Sequence, residues 1–186
     1  MHDRPTAPAA KDRVFRRPLP SSPSPFHEAP TPVASAFALV GLIGLCLLAG
    51  AAGGAVTSAN LAGWFHTLHS PPGTPPDAVF APIWTVLYVG MGLAAWLVWR
   101  RTGGGTALRL WGWQLAVNAL WPPAFFGVHS PALGLAVLAV LIALVALTIR
   151  AFARVHRLAT GLLLPYLGWC CYAAYLNTGF WWLNPG

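Results

Sequence analysis

The chain has 186 residues, of which 56% are hydrophobic and only 8% are charged, and its mean hydropathy is +0.60. Soluble domains carry about a quarter charged residues, so this composition excludes an ordinary water-soluble protein and indicates that lipid is part of its solvent. The formal net charge is +7, but the cations lie in an N-terminal segment and beside apolar runs. This distribution argues against nucleic acid as a partner, which would require a basic face with interleaved aromatic residues.

The first 32 residues differ in composition from the rest. Residues 1–32 are rich in Pro, Ser and Ala, and they lack hydrophobic periodicity, which predicts a disordered N-terminal tail. The acids Asp3, Asp12 and Glu28 argue against a transit peptide, and the apolar run that follows is longer than a secretory signal core. We therefore divide the chain into a tail, 1–32, and a membrane domain, 33–186.

Five apolar runs follow the tail. Each is long enough for a helix that crosses the hydrocarbon core, which needs about 20 residues. The short alternating segments of barrel strands are missing from the sequence, so the predicted fold class is an all-α membrane protein, a bundle of five transmembrane helices. The runs are Val33–Val56, Val79–Trp99, Leu110–Val128, Ala132–Ile149 and Leu158–Leu183, the last with a tilt or kink at Pro165.

The basic residues predict an orientation for these helices. All eleven Lys and Arg residues fall in the tail, in the second connection (100–109) or in the fourth (150–157). Because Lys and Arg stay on the cytoplasmic side during insertion, we predict a multi-pass protein with its N-terminus inside and its C-terminus outside. A bacterial inner membrane and an outer membrane both remain open.

Ten tryptophans are far more than a chain of this length usually carries. Trp64 lies in the first connection, and Trp84, Trp121 and Trp169 lie deeper within the predicted helices. An indole N–H inside the membrane should face protein or a ligand, because lipid offers it no acceptor. The other six lie near helix ends, where indoles anchor at headgroup level: Trp96, Trp99, Trp111, Trp113, Trp181 and Trp182.

Three predicted helices each carry an aromatic or amide face at similar depth. Two interpretations fit these faces equally well. They can pack against one another with amides as interhelical hydrogen-bonding groups, or they can form the walls of a ligand pocket. The faces consist of Trp84 and Tyr88 on the second helix, Gln114, Asn118, Trp121 and Phe125 on the third, and Pro165, Trp169, Tyr172 and Ala173 on the fifth.

Three segments, in order, resemble signatures of the TspO/MBR family of tryptophan-rich sensory proteins and translocator proteins. Residues 64–88 (WF, then SPPGTPP and WTVLY) resemble the family's first loop and second helix. Residues 114–127 (QLAVNALWPPAFFG) resemble its third helix, and residues 164–177 (LPYLGW, then AAYLN) resemble its fifth. The likeness covers roughly residues 33–184 and leaves the tail outside.

The resemblance implies a five-helix bundle, often a homodimer, whose pocket opens towards the first loop. Family members bind porphyrins and haem-like tetrapyrroles, and animal members bind cholesterol and drug-like ligands. A membrane-embedded sensor, receptor or regulator of tetrapyrroles is therefore implied, with porphyrin or haem as ligand, no required cofactor, and other hydrophobic small molecules as further ligands. Carried over by motif, the ligand-binding residues are Trp64, Phe65, Trp84, Tyr88, Asn118, Trp121, Phe125, Trp169 and Ala173.

The sequence departs from the family pattern at several positions. Phe65 replaces the usual Tyr, Gly73 replaces an aromatic residue, and Ala139 replaces an acid that several members carry. His69-Ser70-Pro71 replaces x-Lys-Pro, so a basic group for a ligand carboxylate is missing. The fifth run lacks the Tyr and Lys/Arg of the cholesterol motif, and we predict no dedicated sterol site.

The sequence contains few side chains suited to catalysis. Asp77 is the only acid after Glu28, and neither a paired carboxylate nor a Ser–His–Asp set is available for general acid–base chemistry. The three cysteines lack metal-site spacing, so we predict no metal site. Some bacterial relatives degrade porphyrin in light, and Trp84 and Trp169 match the implicated positions, which leaves a light-dependent degrading enzyme as one alternative. A tetrapyrrole transporter is the other, although inverted repeats and broken helices are missing.

Two small-xxx-small pairs, Gly50-x-x-x-Gly54 and Gly112-x-x-x-Ala116, let helices approach closely. They predict a homodimer, with packing inside one subunit as the alternative.

Cysteine labelling tests the predicted orientation. Cysteines introduced at Thr67 and Gly186 should react with an impermeant thiol reagent applied from outside, whereas one at Gly104 should not. The parent chain serves as the control for its native cysteines. Labelling at Gly104 but not at Thr67 would invert the topology.

Overall fold

The computed structural model describes residues 30–185, so nearly all of the predicted tail lies outside the described part. Residues 30–185 are helical and contain no strand, which confirms the all-α prediction. Three of the helices, α1, α2 and α4, are long and apolar enough to span a membrane. The helices are α1 Pro32–Asn60, α2 Asp77–Thr102, α3 Thr106–Pro122, α4 Pro131–Ala153 and α5 Arg157–Leu183, with π-helical turns at Leu61–Phe65 and Pro123–Gly127.

Each helix begins before the apolar run that predicted it, and α1, α2 and α4 also end after it. α1 continues past Val56 through polar residues whose side chains bond back to its own carbonyls: Thr57 donates to Gly53 O at 3.0 Å, and the Asn60 amide donates to Val56 O at 2.9 Å. Such local bonds satisfy polar side chains without breaking the helix. Hydropathy therefore marks the apolar middle of each helix rather than its ends.

Local sequence signals fix several helix boundaries. α1 and α4 both begin with a hydroxyl residue followed by proline: Thr31 Oγ1 accepts from Ala34 N at 3.2 Å, and Ser130 Oγ accepts from Leu133 N at 3.2 Å. This is the expected N-terminal capping chemistry. α2 ends at Gly103, whose φ of 63° forms a left-handed cap that few other residues adopt.

The five helices run alternately up and down and form a ring in the order α1, α2, α5, α4, α3. Small residues bring α1 and α2 together, since a Cβ added at Gly92 would lie 2.6 Å from Ile43 Cα. The centre is filled by fully buried side chains, among them Met91, Leu141 and Tyr166. One end of the ring carries the first and third connections, and the opposite end carries the second and fourth.

A π-helical turn follows α3 at the two adjacent prolines. Neither Pro122 nor Pro123 has a backbone N–H, so the carbonyls one turn earlier lose their usual donors. The chain then widens, and Val128 N donates to Pro123 O at 2.8 Å, five residues back. In this wider turn both Phe125 and Phe126 are buried, and π-helical turns of this kind frequently occur at functional sites.

Two predicted side-chain positions are corrected. Trp111 is not an interface anchor: it is 5% exposed, and its indole donates to Met91 O at 3.2 Å, because it shares a face with the buried Leu115. Pro165 is exposed, and its neighbour Tyr166 takes the buried position on α5. Pro165 nevertheless lies inside one continuous helix.

The first small-xxx-small pair contributes to packing within the subunit. A Cβ at Gly50 would overlap the ring of Tyr88, and one at Gly53 would lie 2.8 Å from Pro122 Cγ. Gly54 and Gly112 have no heavy atom within 4 Å of such a Cβ. Homodimer formation stays a prediction, with Gly54 and Gly112 on the open sides of their helices.

Gly92→Ala tests the close approach of α1 and α2. The new methyl group would meet the Ile43 backbone, so the two helices must separate, and we expect a loss of about 1–3 kcal/mol in unfolding free energy. Gly41→Ala on α1 is the matched control, since nothing lies within 4 Å of its added Cβ. Equal melting temperatures for both variants in detergent would contradict this packing.

Candidate functional site

A cavity of about 450 Å³ lies between α1, α2 and α3, at the end of the bundle that carries the first connection. Its volume falls in the range of small-molecule sites, about 300–1,000 Å³. We call it the main cavity. Its wall is formed mainly by Gly50, Gly53, Gly54, Thr57, Phe65, Asp77, Phe80, Trp84, Thr85, Tyr88, Asn118, Trp121, Pro122 and Phe126.

A smaller space of about 40 Å³ lies between α2, α3 and α5. We call it the side cavity. Trp84, Trp121, Phe65, Phe80 and Phe126 line both spaces and therefore separate them. The residues that line only the side cavity are Phe125, Trp169, Tyr172, Ala173, Leu176, Asn177 and Phe180.

Eight of the nine predicted ligand-binding residues line one of these two cavities. Trp64 lines neither. Its ring stacks on His129 at 4.7 Å between centroids and meets Phe125 edge-on at 5.5 Å. His129 in turn bonds Asn60 at 2.9 Å, so Trp64 ties the first connection to the third. A direct role of Trp64 in ligand binding stays a prediction.

The sequence missed the wall contributed by α1. A pocket was expected between helices two, three and five, but the main cavity is bounded by α1 instead of α5. Gly50 and Gly53 let α1 approach Tyr88 and Pro122 closely, and open space remains beside Gly54. This run of small residues was the available signal, and it was interpreted only as a close helix contact. Phe80 and Phe126 were also missed.

Trp84 lies at the centre of the aromatic cluster. Its ring stacks on Tyr88 with centroids 5.5 Å apart and planes at 28°, and it lies 6.3 Å from Trp121 at 32°. Trp169 meets it perpendicularly at 6.4 Å. Offset and edge-on arrangements are the favourable ones for aromatic pairs. The cluster therefore offers a nearly parallel set of faces beside the main cavity and a perpendicular ring beside the side cavity.

A buried hydrogen-bond chain joins α2, α3 and α5 below this cluster. Tyr88 Oη donates to Asn118 Oδ1 at 2.6 Å, and Asn118 Nδ2 donates to Tyr166 Oη at 3.0 Å. Asn118 also lines the main cavity. Packing and pocket formation, which the sequence left as alternatives, are thus combined in one residue. Tyr166 was missed, although tyrosines on neighbouring buried faces were a usable signal.

A second chain fixes Trp121. Its indole N–H donates to Asn177 Oδ1 at 3.3 Å, and the Asn177 amide donates to the carbonyl of Pro131 at the start of α4. Asn177 is 1% exposed, so both of its contacts are shielded from solvent. The Trp121 ring therefore cannot rotate freely without breaking a bond that spans α3, α5 and α4.

The first connection is fastened to α5. The hydroxyls of Tyr172 and Tyr175 donate to the carbonyls of residues 72–73, and the Tyr175 bond measures 3.0 Å. Asn184 accepts from His69 N at 2.8 Å and donates to His69 O at 3.1 Å. These bonds hold the connection across the end of the bundle, so it covers the side cavity.

The mouth of the main cavity carries the single acid of residues 30–185. Asp77 Oδ2 lies 2.9 Å from Nε2 of His66, with side-chain exposures of 39% and 54%. An exposed pair of this kind contributes little to stability. No Lys or Arg lines the cavity. The basic group that the sequence lacks in the first connection is therefore not supplied by another element.

Comparisons with known proteins point to one family. The sequence model of the TspO/MBR family matches residues 42–183. The chain is 40% identical to the tryptophan-rich protein TspO of Chlorobaculum tepidum over 147 residues, 77% of this chain and 93% of that protein. It is 38% identical to the Homo sapiens translocator protein over 128 residues, 66% and 76% of the two chains. A tryptophan-rich sensory protein of Cereibacter sphaeroides is 43% identical over 114 residues, 61% and 72%.

Tyr166→Phe tests the buried hydrogen-bond chain. The change removes the acceptor of the Asn118 amide inside the bundle, and a buried unpaired donor costs about 1–3 kcal/mol. Tyr175→Phe is the matched control, because its hydroxyl lies on a side chain that is 52% exposed. We expect a clear fall in melting temperature for the first variant only. A fall of equal size in the control would contradict a special role for the buried chain.

Proposed function

This chain belongs to the TspO/MBR family, and from that premise we propose that it is a sensor or regulator that binds a porphyrin or haem-like tetrapyrrole in the main cavity. Family membership and three apolar helices make it an integral membrane protein. Relatives are named translocator protein and tryptophan-rich sensory protein. The observation that carries the ligand proposal is the main cavity, with the indoles of Trp84 and Trp121 on its wall.

The shape and chemistry of the wall support a flat aromatic ligand. The rings of Tyr88 and Trp121 lie at 28° and 32° to that of Trp84, and a macrocycle can stack on such faces. On the α1 wall the open space lies beside Gly54, where an added Cβ would meet no atom within 4 Å. Affinity would come from apolar and aromatic contact, because the wall offers no cation for a ligand carboxylate.

Exposed residues on the flank of the main cavity support entry from the lipid. Ala51 and Ser58 on α1 and Ala81 and Thr85 on α2 line the cavity, and all four are exposed on the outer surface of the bundle. The cavity therefore opens sideways between α1 and α2. A hydrophobic ligand dissolved in the membrane could enter there while the first connection stays fastened to α5.

We extend the proposal to five membrane-spanning helices. α3 and its π-helical turn form one continuous element from residue 106 to 127, and α5 runs from Arg157 to Leu183. Both pack in the same ring as the three helices that are apolar enough to span. The arginines of residues 30–185 lie at the end of the ring that carries the second and fourth connections, in accordance with an inside N-terminus.

Light-dependent porphyrin degradation is a second candidate. Trp84 and Trp169 lie at right angles with centroids 6.4 Å apart, and both line the side cavity. A ligand in the main cavity would contact Trp84 directly and would lie one ring away from Trp169. Indole oxidation beside a photoexcited porphyrin would then be sterically accessible.

Protoporphyrin titration tests the binding site. We expect Trp84→Ala combined with Trp169→Ala to lower the affinity by about tenfold or more, because the Trp84 ring contact is lost together with the Trp169 ring that packs edge-on against it. Tryptophan quenching and the Soret band, recorded in the dark and in light, report binding and degradation separately. The control is Trp113→Ala combined with Trp182→Ala, which removes indoles that are 66% and 79% exposed. Unchanged affinity in the first variant would contradict this site.

A variant that fills the main cavity tests whether the ligand binds there. Gly54 lines the main cavity, and its added Cβ meets no atom within 4 Å, so Gly54→Leu should occupy the cavity without disturbing the fold. Gly44→Leu on the same helix is the control, because Gly44 also has free space but does not line the cavity. Weaker porphyrin binding is expected for Gly54→Leu alone. Equal affinity in both variants would exclude the main cavity.

A further inference from the structure

A basic cleft lies at the end of the bundle opposite the main cavity. The turn between α4 and α5, together with the end of α2, borders an open, shallow space of about 390 Å³. Three of its seven lining residues are arginines, and the remainder include one histidine. The lining residues are Arg101, Ala153, Arg154, Val155, His156, Arg157 and Leu158.

The cleft has a fixed frame. The backbone amides of Val155 and His156 both donate to Phe152 O, at 2.9 and 2.7 Å, which closes the turn tightly after α4. Arg101 reaches over from α2 and donates to the carbonyl of Val155 at 2.5 Å. Arg154 and Arg157 are exposed on either side of this turn, and their guanidinium groups are not needed to hold it.

The positive charge of the cleft is not neutralised by the described chain. Asp77 is the single acid of residues 30–185, and it pairs with His66 at the opposite end of the bundle. The sequence before residue 30 carries five Lys and Arg residues against three acids, so it adds positive charge overall. Arg101, Arg154 and Arg157 therefore repel one another unless an anion from outside the chain joins them.

His156 adds an unused hydrogen-bonding group to the same cleft. Its Nδ1 is buried and has no partner among residues 30–185. Burial, together with the positive charge of Arg101, lowers the pKa of His156 below the usual value, so the ring stays neutral near pH 7. α5 begins directly after it, with no side-chain cap and no acid in its first turn, so its first amides also lack a side-chain acceptor.

We propose that the cleft binds the phosphate group of an anionic phospholipid headgroup. Guanidinium groups match phosphate oxygens in geometry and charge, and basic pockets between helices on the cytoplasmic side accept such headgroups. A lipid source is favoured over free phosphate because Arg100 stacks over Trp96 at 4.9 Å at this same end, an aromatic and basic pair typical of the headgroup region. This site is independent of the tetrapyrrole site, from which it is separated by the length of the bundle.

Lipid titration of the purified full chain in detergent tests the proposal. Native mass spectrometry counts bound phosphatidylglycerol and bound phosphatidylcholine, with inorganic phosphate added as a competitor at the lipid concentration. We expect wild type to retain one phosphatidylglycerol selectively, and Arg154→Gln combined with Arg157→Gln to weaken this binding by about tenfold or more. Both positions are exposed, so the variant should fold as wild type does.

The matched control is Arg109→Gln combined with Arg150→Gln. It removes the same charge from exposed positions at the same end of the bundle, outside the cleft. We expect it to bind phosphatidylglycerol within about twofold of wild type. An equal loss in both double variants would reduce the effect to general surface charge and overturn the site. Undiminished binding in the Arg154 and Arg157 variant, or full displacement of the lipid by inorganic phosphate, would also overturn it.

Discussion

The amide of Asn118 lies where α2, α3 and α5 meet, and both of its polar atoms are used there, one by Tyr88 and one by Tyr166. In a membrane interior no water replaces a lost partner, so a buried polar group must find its bonds inside the protein. Gln114, one turn away on α3, is equally buried and has no partner among residues 30–185. Asn118, unlike Gln114, is bonded to both neighbouring helices. It therefore fixes the relative depth of α2, α3 and α5, on which the alignment of the aromatic rings depends.

The helices could be predicted from the sequence because each long hydrophobic run coincides with the middle of an observed helix. Their ends were less accessible, since residues such as Thr57 and Asn60 extend α1 through bonds to its own backbone rather than through hydrophobicity. The burial of individual side chains was misjudged where adjacent positions on a helix differ between buried and exposed. Trp111 was taken as an interface residue, and Pro165 was exchanged with Tyr166, because one residue corresponds to a rotation of about 100°.

The aromatic half of the cavity wall was predictable, because deep Trp, Tyr and Asn residues at helical spacing must face protein or a ligand rather than lipid. The α1 half was not, because its contribution is the open space beside Gly54, and an absent side chain leaves no chemical signature. Phe126 was missed for a different reason. Helical spacing places it away from Trp121, but the π-helical turn after Pro123 brings both phenylalanines inward.

The main cavity and the side cavity are separated only by side chains, and this has a consequence for ligand size. The backbone sets an upper limit to the space, whereas the torsion angles of the five separating side chains, Trp84 among them, decide how much of it is available at a given moment. Each off-rotamer torsion costs about 0.5–1.5 kcal/mol, which is small beside the stacking a large macrocycle would gain. Selectivity between small and large ligands would then be a graded energetic penalty rather than a steric limit.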